Sequence, residues 1–319
     1  MRRPARPRSP LARTAPLVSA LVAAALLTAC GTERPGAGSA GSAESPSPTR
    51  IDDPGMDGVR VTSLTLPPAP PSPSPSHGHA VSADSLDLEP DSGISAGYEV
   101  TNEGAETLTY SIVITFMSAD GGAMANQTAT ARDVRPGATV RGTVRAGVLP
   151  PTTPRVTGAK VLKVTKVPAG EAPAEPGTCP ASGIRVSADR GDAAMGLRVV
   201  GLHLENCGTR RYTVEGYPLL TLLDGGHQPV DGVDVLEGGQ GIATGTGADE
   251  PPRPVTLGPG ESASASLVWR NTTESGTPVN VPHVRVRAKA GADPVTVTPN
   301  LDLGTTGKLG VGPWKKTER

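Results

Sequence analysis

The feature that most constrains the fold is a set of three turn signals that occurs twice in the same order. Each set contains an Asn-x-Gly turn, an Asp-Gly-Gly turn and a Pro-Gly turn. The first set lies at 102–104, 120–122 and 136–137, and the second at 206–208, 224–226 and 259–260. Turn residues fix the length and register of the strands between them. The pattern therefore predicts two copies of one β-sandwich plan.

The segments between these turns alternate in polarity, as half-buried strands do. Leu108, Tyr110, Ile112, Ile114 and Phe116 alternate over one such segment. No window has a sustained helical period, and 40 glycines and 34 prolines in 319 residues are too many for a helical protein. Strands are predicted at 59–66, 94–100, 108–116, 138–146, 156–166, 184–188, 197–205, 217–223, 255–257, 262–269 and 284–288. We expect an all-β chain with two immunoglobulin-like β-sandwich domains in tandem.

The N-terminus has the layout of a secretory signal peptide over residues 1–29. Its basic segment contains Arg2, Arg3, Arg6, Arg8 and Arg13, and an uncharged, mostly apolar segment runs from Pro16 to Ala29. That segment is shorter than the roughly 20 residues of a membrane span. It ends in Leu27-Thr28-Ala29-Cys30, which resembles the lipobox of bacterial lipoproteins. The resemblance implies lipid attachment at the Cys30 sulfur and cleavage before it; the alternative is an ordinary secretory signal with an incidental cysteine.

The expected location is the extracytoplasmic face of a bacterial cell membrane, with the lipid on Cys30 as the membrane contact. Arg greatly outnumbers Lys, and Ala, Gly and Pro abound, which is typical of the GC-rich genomes of actinobacteria. Loss of the basic signal makes the mature chain more acidic than the full chain, whose net charge is −1. A weakly acidic chain without a basic stripe is a poor nucleic-acid binder.

Composition divides the remainder of the chain. Residues 30–54 are rich in Gly, Ser and Pro and are expected to be a disordered tether. The first sandwich is predicted at 55–167, with a Pro-rich loop at 67–76. A linker at 168–178 leads to the second sandwich at 179–316.

Two cysteines remain once Cys30 is assigned to the lipid. Cys179 and Cys207 form an even pair outside the reducing cytoplasm, so a disulfide is predicted. Two free thiols or a metal site are the alternatives, although zinc would need further ligands.

The segment from Cys179 to Trp314 is similar to the domain-of-unknown-function 4232 family of actinobacterial lipoproteins. The matching motifs are Cys179, Asn206 with Gly208, Gly216-Tyr217-Pro218, Leu257-Gly258-Pro259-Gly260, Leu267-Val268-Trp269 and Val311-Gly312-Pro313-Trp314. Many members have further cysteines, which this chain lacks. The resemblance implies an all-β fold and no particular reaction.

No catalytic motif of the hydrolase, zincin or phosphate-loop type occurs in the sequence. His77 and His79 lack a third metal ligand, and His203 and His283 are expected to face outward from strands. Trp269 and Trp314 are expected to pack, with sugar stacking as the alternative. The sequence therefore predicts no catalytic residue, no metal site and no cofactor.

Two functions of different class remain. The first is a non-catalytic envelope module that binds a protein or cell-wall glycan, or acts as a spacer, with its ligand and oligomeric state undetermined by the sequence. The second is a cryptic extracytoplasmic hydrolase, which a clustered Ser/His/Asp site would favour.

The second region has extra residues between its second and third turns, roughly at 237–253. Loops on a rigid β scaffold often carry recognition. The candidate recognition residues are Gly238, Gly239, Thr244, Thr246, Asp249 and Glu250. The alternative is a tolerated insertion, since the entropy of loop closure grows slowly with length. Ile242 and Pro251-Pro252 suggest that the loop folds back on the sandwich.

Overall fold

The computed structural model describes residues 47–67, 91–150 and 152–318. All of them belong to one compact unit, which begins at Ser45. Strand accounts for 49% of the structure and helix for 1%, which confirms the predicted all-β class; the described helix is a 3-10 turn at Ala169–Glu171.

The first sandwich consists of two antiparallel sheets. Its strands are β1 (Thr49–Arg50), β2 (Val59–Thr65), β3 (Ser95–Thr101), β4 (Leu108–Ser118), β5 (Ala123–Val134), β6 (Thr139–Arg145) and β7 (Val156–Pro168). One sheet has the order β1-β2-β3-β6 and the other β5-β4-β7. The first strand begins at Thr49, before the predicted domain start at 55. Residues of the expected tether therefore pair with β2.

Alternation places one face of each sheet in a shared core. Tyr98 and Val100 of β3 pack in the same buried cluster as Ile112, Ile114 and Phe116 of β4. Neighbouring side chains on each strand point the other way. The predicted period-two segment at 108–116 is thus a core strand.

The second sandwich contains more and shorter strands. They are β8 (Ile184–Ala188), β9 (Asp192–Ala194), β10 (Leu197–Asn206), β11 (Tyr212–Val214), β12 (Leu219–Leu223), β13 (Asp234–Glu237), β14 (Val255–Leu257), β15 (Ser262–Arg270), β16 (Asn280–Val281), β17 (His283–Arg287), β18 (Val295–Val297), β19 (Leu301–Asp302), β20 (Lys308–Val311) and β21 (Lys315–Lys316). The main sheet has the order β13-β20-β15-β10-β8, with β9 on β10 and β21 on β15. The facing sheet is β12-β17-β18.

These two sheets also share one core. Leu202 and Leu204 of β10, Leu267 of β15, and Val284 and Val286 of β17 are fully buried in the same cluster. That cluster has no member in common with the core of the first sandwich. The chain therefore has two separate hydrophobic cores.

The repeated Asn-x-Gly signal forms the same buried corner in both sandwiches. In the first, the Asn102 side-chain amide donates to the carbonyl oxygens of Glu106 and Val134, both at 2.7 Å. Its Oδ1 accepts from the Gly104 N–H at 2.9 Å. The Gly137 N–H donates to the Asn102 carbonyl at 2.7 Å, which connects the Pro-Gly turn to the corner.

Asn206 makes the equivalent bonds in the second sandwich. Its amide donates to the carbonyls of Arg210 at 2.7 Å and Leu257 at 2.9 Å, and its Oδ1 accepts from the Gly208 N–H at 3.2 Å. The Gly260 N–H donates to the Asn206 carbonyl at 2.7 Å. The shared turn order in the sequence thus corresponds to a shared hydrogen-bond pattern in the structure.

Candidate functional site

The segment between the two sandwiches packs against both of them. Strand β7 runs to Pro168, and the 3-10 turn follows directly. The Glu171 carboxylate of this turn accepts from Arg285 Nε at 2.8 Å and from the Thr296 hydroxyl at 2.7 Å. Arg132 of β5 donates to the carbonyl of Pro173 at 3.0 Å and to Glu175 at 2.9 Å. The predicted linker at 168–178 is therefore a packed connection.

A second group of contacts joins β7 directly to two turns of the second sandwich. The Nε2–H of His227 donates to the Lys166 carbonyl at 2.7 Å, because a carbonyl oxygen can only accept. The Lys163 ammonium donates to Asn300 Oδ1 at 3.0 Å. His227 has a positive φ of 61°, which is unusual for a residue other than glycine. Its backbone N–H donates to the Asp224 carbonyl at 3.1 Å and closes the turn. These bonds and the Glu171 contacts form what we call the junction.

A cavity of about 340 Å³ lies at the junction between the two sandwiches. Its walls include Lys163 and Lys166 from β7, and His227, His283 and Asn300 from the second sandwich. The Lys166 ammonium also pairs with Asp57 at 2.9 Å. Asp57 lines the cavity as well, so its polar chemistry is imidazole, ammonium, amide and one carboxylate.

His283 is the most unusual group in this cavity. Its ring meets that of His227 edge-on, with 4.7 Å between centroids. Its Nδ1 is buried and has no hydrogen-bond partner among the described residues. Burial, helped by His227 and Lys163, lowers the pKa of His283 to about 4, against the opposing effect of Asp224. A neutral imidazole is thus favoured at this position.

The prediction that His283 faces outward is wrong, since only 5% of the residue is exposed. Strand alternation predicts which side chains are exposed only where one face of the strand meets solvent. Here Pro282, the His227 turn and β7 surround the start of β17. Nothing in the local sequence indicates a neighbour from the other sandwich.

The predicted disulfide is confirmed between Cys179 and Cys207, whose Cα atoms are 5.6 Å apart. Cys207 lies directly after the buried Asn206, inside the repeated turn. Cys179 lies at the entry to the second sandwich, just beyond the junction segment. The bond therefore ties the incoming chain to one end of β10.

The candidate recognition loop lies on the outer face of the main sheet. The Gly238 N–H donates to the Val311 carbonyl at 2.7 Å, and the Gly239 N–H donates to Asp249 Oδ1 at 2.6 Å. Gly238 and Gly239 are buried, whereas Thr244 is exposed and Thr246 is half-buried. Two of the six candidate residues are thus withdrawn from solvent.

The remaining loop contacts reach Lys315 and Arg270 of the main sheet. Lys315 bonds Glu250 Oε1 at 2.8 Å and also the Gly247 carbonyl. Arg270 Nε donates to the Ile242 carbonyl at 3.2 Å. Val268 points outward by the alternation of β15, yet it is fully buried. These contacts tie the loop to the sheet. Of the six candidate residues, Thr244 and Glu250 are the exposed ones.

A Ser/His/Asp grouping occurs on the outer face of the main sheet. His203 Nε2 lies 3.1 Å from Asp189 Oδ2. In the strand register, His203 stands opposite Ser187 on β8 and Ser264 on β15. Cross-strand partners have Cβ atoms about 5 Å apart. His203 faces outward as predicted and is half exposed.

Both tryptophans pack in the second core, as predicted. The Trp269 indole N–H donates to Asp302 Oδ1 at 2.9 Å, and the Trp314 indole N–H donates to the Ala288 carbonyl at 2.9 Å. Both side chains are buried, so neither offers a ring face for sugar stacking.

Cys30, His77 and His79 lie outside the described residues, so the lipid-attachment prediction stays a prediction. Within the described ranges, no helix has the length and apolar character to cross a membrane. Over the same ranges, no three His, Cys, Asp or Glu side chains are grouped as metal ligands would be.

The geometry defines an all-β protein in which two sandwiches meet through a packed junction. Residues 179–315 match the family described as Domain of unknown function (DUF4232), which confirms the resemblance of the second sandwich. No curated protein matches the chain. The match covers the disulfide, the buried Asn206 corner and the candidate loop, and it extends to β21.

Proposed function

We propose that this protein is a lipid-anchored envelope protein whose two sandwiches act as one body that holds a partner at the bacterial cell membrane, within reach of the expected tether. The partner is an envelope protein or a cell-wall glycan, and the role is non-catalytic. The observation that carries the proposal is the junction. A holding or spacing role requires two domains that transmit position, and flexible linkers do not transmit it.

The Glu171 carboxylate supports this role because it belongs to neither sandwich. It accepts two bonds from the facing sheet of the second sandwich, from Arg285 and Thr296. Both partners and Glu171 itself are largely shielded from water. Charge-assisted bonds of this kind are stronger than exposed ion pairs. The orientation of one sandwich is thereby coupled to the other.

The membrane part of the proposal rests on Leu27-Thr28-Ala29-Cys30 and the composition after it. A fatty-acid analogue should label the wild-type chain and should not label Cys30→Ala. Cys30→Ala should also leave the membrane fraction for the medium or remain an unprocessed precursor. Equal labelling of both chains would contradict anchoring at this residue.

The partner is tested in two arms with the full chain. Chemical cross-linking on intact cells detects an envelope protein, and co-sedimentation with isolated cell walls detects a glycan. Glu171→Ala should reduce the yield in whichever arm is positive, because it loosens the junction without touching exposed surface elsewhere. Glu274→Ala, at an exposed carboxylate of the second sandwich that takes no part in the junction, serves as the matched control. A wild-type chain that is negative in both arms would overturn the holding role.

The second candidate function is an extracytoplasmic hydrolase, and the Asp189–His203 pair favours it. Ser264 and Ser187 flank His203 across the sheet, so a hydroxyl nucleophile and a base are neighbours. Against it, the Gly201 N–H already donates to Asp189 Oδ1 at 2.9 Å. The Gly201 N–H is therefore not free to stabilise an oxyanion.

A fluorophosphonate probe separates the two candidates. Labelling of the wild type that His203→Ala and Ser264→Ala both abolish would establish the hydrolase. Absence of labelling, with a second probe for slow esterases also negative, would remove this candidate. Ser266→Ala is the control. Ser266 lies on the same outer face, two residues after Ser264 on β15.

A further inference from the structure

We propose that the junction cavity is a binding site for an anionic oxygen group, a phosphate or a carboxylate. Such a ligand would touch both sandwiches at once. The site deepens the proposed holding role, on which it rests, by giving the partner a defined chemistry.

The charge of the cavity favours an anion. Lys163, Lys166 and Asp57 all line it, and the Lys166–Asp57 pair at 2.9 Å leaves the Lys163 charge as the excess cation of the three. Among the described residues, Lys163 has no carboxylate partner, and its ammonium donates to the neutral amide oxygen of Asn300. An ammonium has three donors, so Lys163 retains capacity for an acceptor oxygen.

His283 supplies a second and independent observation. Its side chain is more than nine-tenths buried and lines the cavity, and its Nδ1 lacks a partner in the described part of the chain. Buried polar atoms without partners are rare in folded proteins. In the tautomer with the proton on Nδ1, this nitrogen donates, so a ligand oxygen that reached it would accept that bond and would offset the positive charges that face His283.

Binding at this place has a structural consequence. Lys163 and Lys166 belong to β7, whereas His227 and His283 belong to the second sandwich. An anion held between them stabilises the arrangement in which the sandwiches meet, because a ligand stabilises the state that binds it. The ligand therefore reinforces the bonds made by Glu171.

The test follows the histidine ring signals of the full chain carrying Cys30→Ala by NMR, while inorganic phosphate is added. Sodium chloride at matched ionic strength is the reference. The signals of His227 and His283 should shift saturably with phosphate and not with chloride. Lys163→Gln should weaken the apparent Kd about tenfold, as expected for loss of one charge-assisted bond.

Lys160→Gln is the matched control, because Lys160 is an exposed lysine on the same strand that does not line the cavity. It should bind phosphate like the wild type. Equal shifts with chloride, or equal affinity in Lys163→Gln, would overturn the site. A second arm with poly(glycerol phosphate) identifies the source: tighter binding per phosphate indicates a polymer, and equal binding indicates a free anion. The purified chain is used throughout, so a failure here is distinct from a failure to find an envelope partner.

Discussion

Acidification tests the environment of His283 directly. Burial lowers its pKa from 6.5 to about 4, with further lowering by His227 and Lys163 and an opposing effect of Asp224. A group whose pKa is lower in the folded state stabilises the fold fully above its unfolded pKa. That contribution is lost as the pH falls through the folded value. The expected window of loss is therefore from pH 6.5 to about 4.

The size of the effect follows from the shift. One pKa unit corresponds to about 1.4 kcal/mol, so a neutral His283 contributes up to about 3 kcal/mol that acid removes. Urea unfolding followed by tryptophan fluorescence measures it at a series of pH values. The chain's two tryptophans, Trp269 and Trp314, both lie in the second core, so the signal reports the sandwich that contains His283.

Two variants separate the effect of His283 on stability from the effect of the carboxylates, which titrate in the wild type and in both variants. His283→Gln should remove the roughly 3 kcal/mol difference between the ends of the window. Lys163→Gln should reduce it in part, because one of the charges that lowers the pKa of His283 is gone. Identical pH curves for the wild type and His283→Gln would show that His283 does not cause the loss of stability in acid. So would an NMR titration that places the pKa of His283 near 6.5.

Three further predictions concern the second sandwich and its repeat. Asn102→Ala and Asn206→Ala should each cost about 2–4 kcal/mol of unfolding free energy, because each leaves one buried and one part-buried carbonyl without its donor; calorimetry that finds one costly and the other neutral would contradict the shared corner. Replacing Cys179 and Cys207 together by Ser should cost about 3.5 kcal/mol in urea unfolding, the chain-entropy value for this loop, and an unchanged midpoint would contradict it. Replacing 238–250 by Asn-Gly should lower Tm by several degrees, since Val268 is uncovered; a Tm equal to the wild type would show that the loop is not structural.

Much of the fold was predictable because the chain uses its turn residues consistently. The Asn-x-Gly and Pro-Gly signals at 102–104 and 136–137 form one corner, and those at 206–208 and 259–260 form its counterpart. The strands predicted at 108–116, 156–166 and 262–269 are present with near-identical bounds.

Other strands have no visible alternation of apolar and polar residues in the sequence. β5 spans Ala123–Val134, yet its inward positions include Ala125, Gln127 and Ala129, which are too small or too polar to alternate visibly. β20 is only Lys308–Val311, and its last three residues are all buried. A strand that is short or fully buried carries no period-two pattern.

The junction was beyond sequence reasoning for a different reason. Glu171 stands in a Pro- and Ala-rich segment that resembles any flexible linker, and its partners Arg285 and Thr296 follow more than a hundred residues later. His227 lies in a turn whose partner is the Lys166 carbonyl. Contacts between elements so far apart are set by tertiary packing, which local composition does not encode.

The central claim is that the two sandwiches work as one body held by the junction. Pulsed electron paramagnetic resonance tests it most directly, with spin labels carried by unnatural amino acids at Thr128 on β5 and Val235 on β13, so that the native disulfide is left intact. Both positions are exposed, and neither makes one of the Glu171 hydrogen bonds. We expect one narrow distance distribution for the wild-type chain and a broad one for Glu171→Ala. A broad distribution in the wild type, unchanged by Glu171→Ala, would contradict it.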